Sequence, residues 1–365
     1  MELNARQKKV VFAKDSKILC LASAGGGKTK ALTERIRNLI LNEKVDPTKI
    51  VAITFTNMAA REMKQRLGDI SSEMFIGTIH SYANKICNYN GINMMDAILA
   101  EDYDDLLITA SKMKKFPEVE HLLIDEAQDI ARLEFLFITK IPAKNVFFVG
   151  DDRQNIYQFR GGSDKYIDMM NKDIDFQKYY LTENYRNAPN IIRFADELLG
   201  SYRSMGLPSK PIKKKDGIIE EVSFLEALDM LEENKNWGSW FVLTRTNDEL
   251  DQVMDILQDK DIPCITFKKA DLESNDILEQ IMNSNNVKVL TCHSAKGLER
   301  KNVIVVGAKT YNLNERKLAY VAATRAENAL YWCPSLINRK VRKNKESRAG
   351  YRKDRIGEKS QLITF

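Results

Sequence analysis

A glycine-rich turn between an apolar strand and a helix is the feature that most constrains how this chain can fold. The run Ile18–Ala22 is apolar, glycines occupy residues 25–27, and a helical pattern begins at Lys28. Glycines let backbone N–H groups converge on phosphate oxygens, which the positive end of the following helix also attracts. The pattern predicts a P-loop, in which Lys28 reaches the β- and γ-phosphates and Thr29 binds Mg²⁺.

One position departs from the usual P-loop pattern, because Ala22 stands where the first glycine is expected. The strand, the turn and the helix still occur together, which makes a chance glycine turn a weak alternative. The predicted nucleotide contacts in this segment are Ala24, Gly25, Gly26, Gly27, Lys28, Thr29 and Lys30.

Short apolar runs alternate with helical patterns along most of the 365 residues. Such runs indicate parallel strands buried on both faces of a sheet. The pattern restarts after about residue 181, which predicts two α/β domains at 1–180 and 181–336, followed by a tail at 337–365. The expected strands lie at 18–22, 50–55, 121–125 and 145–150, then at 240–246, 262–267, 287–292 and 302–307.

Adjacent acids end one of these apolar runs, in the segment HLLIDEAQD. A P-loop requires a second strand that carries a carboxylate for the metal. We expect Asp125 to bind Mg²⁺ and Glu126 to polarise the attacking water. The reaction class is then hydrolysis of a nucleoside triphosphate, with ATP and Mg²⁺ as the cofactors.

Charge and composition narrow the protein class. The net charge is +5, but residues 337–365 alone hold ten Lys or Arg against three acids. A basic tail suits phosphate contacts on nucleic acid, although a solvated terminus is equally compatible. The five cysteines and three histidines show no metal-binding spacing. No apolar run is long enough to span a bilayer, so we expect a soluble, cytoplasmic protein without a membrane partner.

Ten short motifs occur in one order between residue 7 and about residue 327. Together they resemble the helicase motifs of the UvrD/Rep family of superfamily 1, in which Ala is common at the position of Ala22. The motifs are LNARQ, ASAGGGKT, TFTNMAAREM, GTIHS, IDEAQD, GDDRQNIYQFRG, LTENYR, LTRTN, TCHSAKGLE and LAYVAATRAE. The resemblance implies two RecA-like P-loop NTPase domains with the ATP site in the cleft between them.

The resemblance also implies roles within that ATP site. Gln154 and Arg186 would lie near the γ-phosphate, and Arg325 would act as the arginine finger that neutralises transition-state charge. The adenine would stack on Tyr185. Its edge would bond to Gln7, and Glu299 would contact the ribose.

A second set of motif residues resembles the DNA channel of the family. Aromatic side chains beside positive charge stack on the bases of single strands, at roughly 1–3 kcal/mol per base. The position of Phe159 more often carries Trp in the family, which predicts weaker stacking here. The predicted DNA contacts are Phe55, Asn57, His80, Tyr157, Phe159, Arg160 and His293.

Full-size members of the family carry two inserted subdomains, which contact duplex DNA and regulate unwinding. In this chain the first gap holds only about residues 84–118, and the second is expected to hold one helix, one strand and a short connector. The chain therefore resembles a compact form that lacks most of both insertions.

These observations predict an ATP-dependent translocase or helicase on single-stranded DNA, with a 3′ tail or a partial duplex as substrate and 3′ to 5′ polarity. Two alternatives stay open. One is a regulatory NTPase that works with a partner such as a nuclease and does not unwind processively. The other is a nucleic-acid-binding module that has lost hydrolysis, against which the intact Lys28, Asp125, Glu126 and Arg325 argue. The expected state is a monomer or a subunit of a complex.

Overall fold

Two six-stranded parallel sheets organise the chain in the computed structural model, which describes residues 2–267 and 275–336. The first sheet has the strand order β3-β2-β4-β5-β1-β6, and the second has the order β11-β12-β10-β13-β14-β9. A two-stranded parallel pair, β7 and β8, is separate from both. We call the described residues 2–181, which carry the first sheet, the first lobe, and the described residues from 182 to 336, which carry the β7–β8 pair and the second sheet, the second lobe.

The strands are β1 Lys17–Ala22, β2 Ile50–Thr54, β3 Phe75–Thr78, β4 Val119–Ile124, β5 Ala143–Gly150, β6 Gln177–Leu181, β7 Glu183–Asn184, β8 Lys210–Pro211, β9 Ile218–Glu221, β10 Trp240–Thr244, β11 Cys264–Ile265, β12 Val287–Thr291, β13 Arg300–Val306 and β14 Ala326–Cys333. The helices are α1 Ala5–Val11, α2 Lys28–Leu41, α3 Asn57–Leu67, α4 Ile79–Tyr89, α5 Met95–Leu99, α6 Tyr103–Ser111, α7 Arg132–Ile138, α8 Asp164–Lys172, α9 Pro189–Leu198, α10 Phe224–Glu233, α11 Asn247–Asp259, α12 Asn275–Asn283 and α13 Leu313–Ala323.

Helices cover both faces of the first sheet. On one face α1, α2 and α3 pack against the sheet around Val10, Leu32 and Met63. On the other face α4, α6, α7 and α8 surround Tyr82 and Phe137. Because both faces are buried, every residue of β2 is buried, as expected for an inner strand of a parallel sheet.

The second sheet is covered in the same way. The helices α9 and α13 pack on one face, where Trp332 meets the edge of Phe194 with 5.3 Å between the ring centroids. The helices α10 and α11 pack on the other face, where Trp240 stacks on Tyr331 at 5.5 Å. Each lobe therefore has its own apolar core on each side of its sheet.

The predicted α/β class with parallel sheets is confirmed. Seven of the eight expected strands occur near their predicted bounds, while the eighth, predicted over 262–267, contracts to Cys264–Ile265. The strands β3, β6, β7, β9 and β14 were not predicted, and β8 lies in a segment expected to be a loop. In the second insertion gap, α12 stands where only a connector was expected.

The first insertion gap contains the end of α4, then α5 and α6. The basic tail at 337–365 lies outside the described residues, and the domain bounds stay predictions. Within the described ranges no helix is long and apolar enough to cross a membrane.

Candidate functional site

The glycine turn connects β1 to the start of α2 at the carboxyl end of the first sheet. Gly25 and Gly27 have positive φ angles of 67° and 79°, which glycine adopts without strain. Gly27 precedes the first helical residue, and no side chain caps the N-terminus of α2. The first N–H groups of this helix therefore lack a side-chain cap, which leaves them available to a phosphate.

Residues of the second lobe close over the turn. The Asn184 amide donates to the Ala24 carbonyl oxygen at 2.9 Å, and the Tyr185 backbone N–H donates to the Gly25 carbonyl oxygen at 3.1 Å. A Cβ atom on Gly25 would lie 2.7 Å from Asn184 Oδ1 and 2.9 Å from Arg186 Cβ. Only glycine fits at this position, because the LTENYR segment runs directly against it.

The two residues predicted to hold the adenine lie on either side of Asn4. Gln7 is 2% exposed, and its Oε1 accepts the Asn4 backbone N–H at 3.1 Å. The Asn4 amide donates to the Tyr185 hydroxyl at 2.6 Å. Asn4 thus caps α1 and connects it to the second lobe. The predicted contact Lys30 lies nearby and donates to the Glu2 carbonyl oxygen at 3.0 Å.

The carboxylates predicted to act in hydrolysis follow β4. The Lys28 Nζ lies 3.3 Å from Glu126 Oε2, and the Gln128 amide donates to the same oxygen at 2.6 Å. Glu126 has a positive φ of 51°, a conformation that costs energy for a residue with a Cβ atom. This backbone turn brings the Glu126 carboxylate to the P-loop lysine.

Burial and charge set the protonation of this pair. Burial and the neighbouring Glu126 charge raise the pKa of Asp125 to about 7. Burial alone would also raise the pKa of Glu126, but Lys28 and Lys296 hold it at about 2. Glu126 is therefore the ionised member of the pair near neutral pH, which is the state that orienting a water requires.

The donor set fits Mg²⁺. Asp125 supplies a carboxylate and Thr29 a half-buried hydroxyl, which are the hard oxygen ligands that this cation prefers. Burial raises the pKa of the Asp125 carboxyl, and a divalent cation beside it would reverse that shift. In residues 2–267 and 275–336 no group of three or more His, Cys, Asp or Glu forms a metal site. Proteins usually hold Mg²⁺ with one or two carboxylates together with substrate phosphates, and this donor set suits such a site.

Two arginines of the second lobe lie side by side near the glycine turn. Arg325 is 1% exposed and donates to the Val321 and Leu298 carbonyl oxygens at 2.9 and 3.2 Å. Burial and the nearby Arg186 lower the pKa of Arg325 to about 9. Arg186 forms an ion pair with Glu299, whereas Arg325 has no carboxylate partner among the ion pairs of residues 2–267 and 275–336. A buried guanidinium without a counter-ion favours an anionic ligand.

Gln154 lies at the contact between the lobes. Its amide donates to Asp151 Oδ2 at 2.7 Å, and its backbone carbonyl accepts from Lys296 Nζ at 2.9 Å. The same Lys296 ammonium binds the Asp129 carboxylate of the DEAQD segment. Its Nζ also lies 5.2 Å from the ring centroid of Tyr157. Lys296 therefore contacts one residue of the carboxylate segment and one of the predicted DNA channel.

An aromatic cluster spans the two lobes on the predicted DNA side. Phe55 stacks on Tyr157 with 4.8 Å between the ring centroids. Phe159 is 72% exposed and meets the edge of His293 at 5.4 Å. The Tyr157 hydroxyl donates to the His293 carbonyl oxygen at 3.4 Å. Burial lowers the pKa of His293, so its ring is neutral at pH 7.

The remaining predicted DNA contacts are less closely associated with this cluster. The His80 ring lies 4.7 Å from the Tyr103 ring, and both line a cavity of about 600 Å³ that Phe55 and Tyr157 also line. Asn57 is exposed at the first residue of α3. The side chain of Arg160 lies outside the described part of the structure.

Several residues at this site were not predicted from the sequence. Lys296 lies in the HSAKG motif, but only its neighbours in that motif were assigned a role. The sequence around Asn4 is typical of a helix cap, but it gives no indication of the hydrogen bond from Asn4 to Tyr185. Tyr320 lies in the LAYVAATRAE motif, and it belongs to the same buried apolar cluster as Ala24 of the glycine turn.

Comparisons with known proteins agree with these motifs. The model of the UvrD/REP helicase N-terminal domain matches residues 3–117 and 99–175, and that of the UvrD-like helicase C-terminal domain matches residues 286–332. The ATP-dependent DNA helicase PcrA of Bacillus subtilis is 28% identical over 54% of this chain and 39% of the relative. DNA helicase II of Haemophilus influenzae is 27% identical over 54% of this chain and 40% of the relative.

Relatives aligned over more of the chain are also found. A protein of Mycoplasma pneumoniae named "Probable DNA helicase" is 24% identical over 90% of this chain and 82% of the relative. A relative from Acanthamoeba polyphaga mimivirus is 26% identical over 89% of this chain and 52% of the relative. The chain therefore spans about half or less of the length of most of these relatives. Because the two domain models together match more than half of its residues in order, the chain belongs to the UvrD/Rep helicase family.

Proposed function

We propose that this protein is an ATP hydrolase that uses the energy of hydrolysis to move along single-stranded DNA. The observation that carries the proposal is the position of Lys296. Its ammonium binds Asp129, three residues after Glu126, and lies over the Tyr157 ring of the aromatic cluster. A strand that displaces Tyr157 would therefore act on the segment that orients the attacking water.

ATP would lie between the glycine turn and the two arginines. Lys28 and Arg325 would neutralise charge on the γ-phosphate from opposite lobes, and Glu126 would orient the attacking water. Mg²⁺, held by Thr29 and Asp125, would supply further charge neutralisation at the phosphates. Gln7 and Tyr185 would hold the adenine, and Glu299 the ribose. Because these groups come from both lobes, hydrolysis would require a closed cleft.

The strand would lie across Phe55, Tyr157, Phe159 and His293. The exposed Phe159 ring offers a stacking face for a base. Because residues of both lobes form this surface, opening and closing of the cleft would change the distance between bound bases. The proposed polarity is 3′ to 5′, and the proposed substrate carries a 3′ single-stranded tail.

One observation favours the alternative of a regulatory NTPase within a complex. Within the first insertion gap, residues 96–105 hold five exposed acids and no Lys or Arg, whereas the four lysines of the gap lie outside that segment, at 85, 112, 114 and 115. Such a surface repels DNA phosphates, so it does not suit the duplex contact that this insertion makes in full-size relatives. A protein partner would be required for strand separation in that case.

ATPase measurements with and without a single-stranded oligonucleotide test the proposal, with Lys28→Ala as the inactive control. We expect strong stimulation by DNA. Displacement of streptavidin from either end of a biotinylated oligonucleotide then tests direction, and we expect release from the 5′ end only. Release from the 3′ end would overturn the polarity. An ATPase rate that DNA leaves unchanged would favour the regulatory alternative.

A further inference from the structure

A half-exposed carboxylate lies beside the two arginines of the proposed ATP site. The Glu299 carboxylate accepts a hydrogen bond from Nε of Arg186 through its Oε2 atom, and the two side chains form an ion pair. The side chain of Glu299 is 47% exposed, and that of Arg186 is 16% exposed. Within residues 2–267 and 275–336 no protein group donates to the other carboxylate oxygen, Oε1. One oxygen therefore holds the arginine, and the other is available to a ligand.

The remaining contacts of Arg186 place its guanidinium beside the glycine turn. Its backbone N–H donates to Asn184 Oδ1 at 2.9 Å, and its Cβ atom would lie 2.9 Å from a Cβ atom added to Gly25. Its Nη1 lies 3.5 Å from the Thr324 carbonyl oxygen. In the described part of the chain, Nη2 donates to no protein acceptor. Because the guanidinium is a rigid plane, the bond from Nε to Glu299 sets the direction in which Nη2 points.

The backbone on either side of Glu299 holds the second arginine. The Leu298 carbonyl oxygen accepts a hydrogen bond from Arg325 Nη1 at 3.2 Å, and the Arg300 backbone N–H donates to the Arg325 carbonyl oxygen at 3.0 Å. Burial and the Arg186 charge lower the pKa of Arg325, whereas the Glu299 charge opposes this shift. Without Glu299, repulsion between the two guanidinium groups would favour movement of Arg186 towards solvent.

We propose that Glu299 is a positioning residue, which holds the Arg186 guanidinium so that Nη2 donates to the γ-phosphate, in addition to its proposed contact with the ribose. This inference rests on the proposed ATPase function. An ionised carboxylate has acceptor sites on both oxygens, so one can accept from a ribose hydroxyl while the other keeps Nε of Arg186. Glu299 does not contact the phosphates. Its effect on the hydrolysis step passes through Arg186.

The dideoxy analogue of ATP separates the two roles of Glu299, because it has no ribose hydroxyl to donate. If Glu299 only binds the ribose, Glu299→Ala should not change the hydrolysis of this analogue. If Glu299 also positions Arg186, the kcat for the analogue should fall by about three- to tenfold, with less than about a twofold change in KM. A hydrogen bond between charged groups is worth about tenfold or more, and the half-exposed position of Glu299 reduces this value. An unchanged or higher kcat would overturn the inference.

Glu232→Ala is the matched control. Glu232 also forms an ion pair, with Lys260, and its side chain is 40% exposed, which is close to the exposure of Glu299. It lies on α10, on the face of the second sheet opposite to α13. This variant should keep the wild-type kcat and KM with both nucleotides. A similar fall in kcat in the two variants would overturn the positioning role.

The double variant Arg186→Ala/Glu299→Ala, measured with ATP, tests the route of the effect. With ATP, Glu299→Ala alone should raise KM and lower kcat, because both roles are lost. If Glu299 acts on hydrolysis only through Arg186, the kcat of the double variant should equal that of Arg186→Ala within about twofold. A further three- to tenfold loss would show that the two residues act independently and would overturn the inference. Absence of ATPase activity in the wild-type protein would instead refute the proposed function itself.

Discussion

Replacing Lys296 by methionine removes the charge from a buried ion pair between the lobes and keeps most of the side-chain volume. The Lys296 and Asp129 side chains are 7% and 0% exposed, so the remaining carboxylate would lose its partner without gaining water. Breaking a buried pair in this way costs about 3–5 kcal/mol. We expect Lys296→Met to lower the free energy of unfolding by that amount, as measured by urea denaturation followed by circular dichroism.

The loss should depend on pH in a defined direction. Burial raises the pKa of Asp129 to about 7 even with Lys296 in place, and removing the lysine would raise it further. When the pKa of a carboxyl is higher in the folded state than in the unfolded state, the carboxyl destabilises the fold. This destabilisation grows as the pH rises from the unfolded pKa to the folded pKa, and it is constant above the folded pKa. Above pH 7 only the variant should continue to lose stability. The difference in free energy of unfolding between the wild-type protein and Lys296→Met should therefore be larger at pH 8.5 than at pH 6.

The double variant Lys296→Met/Asp129→Asn is the control. It has no unpaired charge, so it should regain most of the stability lost in the single variant. The reasoning fails if Lys296→Met costs less than about 1 kcal/mol, if its deficit is independent of pH, or if the double variant is no more stable than the single one.

Lys28→Ala should weaken ATP binding and abolish turnover, whereas Glu126→Gln should bind ATP without hydrolysing it. Equilibrium binding and ATPase assays distinguish the two variants. Near wild-type hydrolysis by Glu126→Gln would refute the role of Glu126 in orienting the attacking water. Arg325→Ala should keep ATP affinity and lower kcat by on the order of 10³-fold, and a loss below about fivefold would mean that it does not reach the γ-phosphate. Phe159→Ala should weaken DNA binding without changing the slope of the logarithm of the binding constant against the logarithm of the salt concentration, because stacking displaces no counterions. Deleting residues 337–365 should flatten that slope, by about 0.7 per lost phosphate contact, and an unchanged slope would place the tail away from DNA.

All inner strands of the two sheets except β14 were predictable, because burial on both faces leaves a continuous apolar run. The strands that were missed lack this signal. β6 reads Gln-Lys-Tyr-Tyr-Leu and β9 reads Ile-Ile-Glu-Glu, and both lie at the edge of a sheet, where one side is open to polar neighbours. Their place in the fold depends on the strand beside them rather than on their own pattern.

The motifs predicted which residues would take part in the site but not how the lobes meet. The glycine turn and the Asp125–Glu126 pair are local patterns, so they are visible in the sequence. The contact of Lys296 with Asp129 joins residues 167 positions apart, and the buried cluster that contains Tyr320 also contains Ala24 of the other lobe. Such pairs are set by the packing of whole lobes, which no local pattern encodes.

The fluorescent tryptophan side chains are unevenly distributed between the two lobes. All three, Trp237, Trp240 and Trp332, belong to the second lobe, and two of them contact aromatic rings on opposite faces of its sheet. Intrinsic tryptophan emission therefore reports on the second lobe and does not report directly on events inside the first. A tryptophan introduced at the exposed position of Phe159 would add one emitter on the first lobe, at the surface where a DNA strand is proposed to bind. The difference between the emission of this variant and that of the natural sequence would then report on the first lobe.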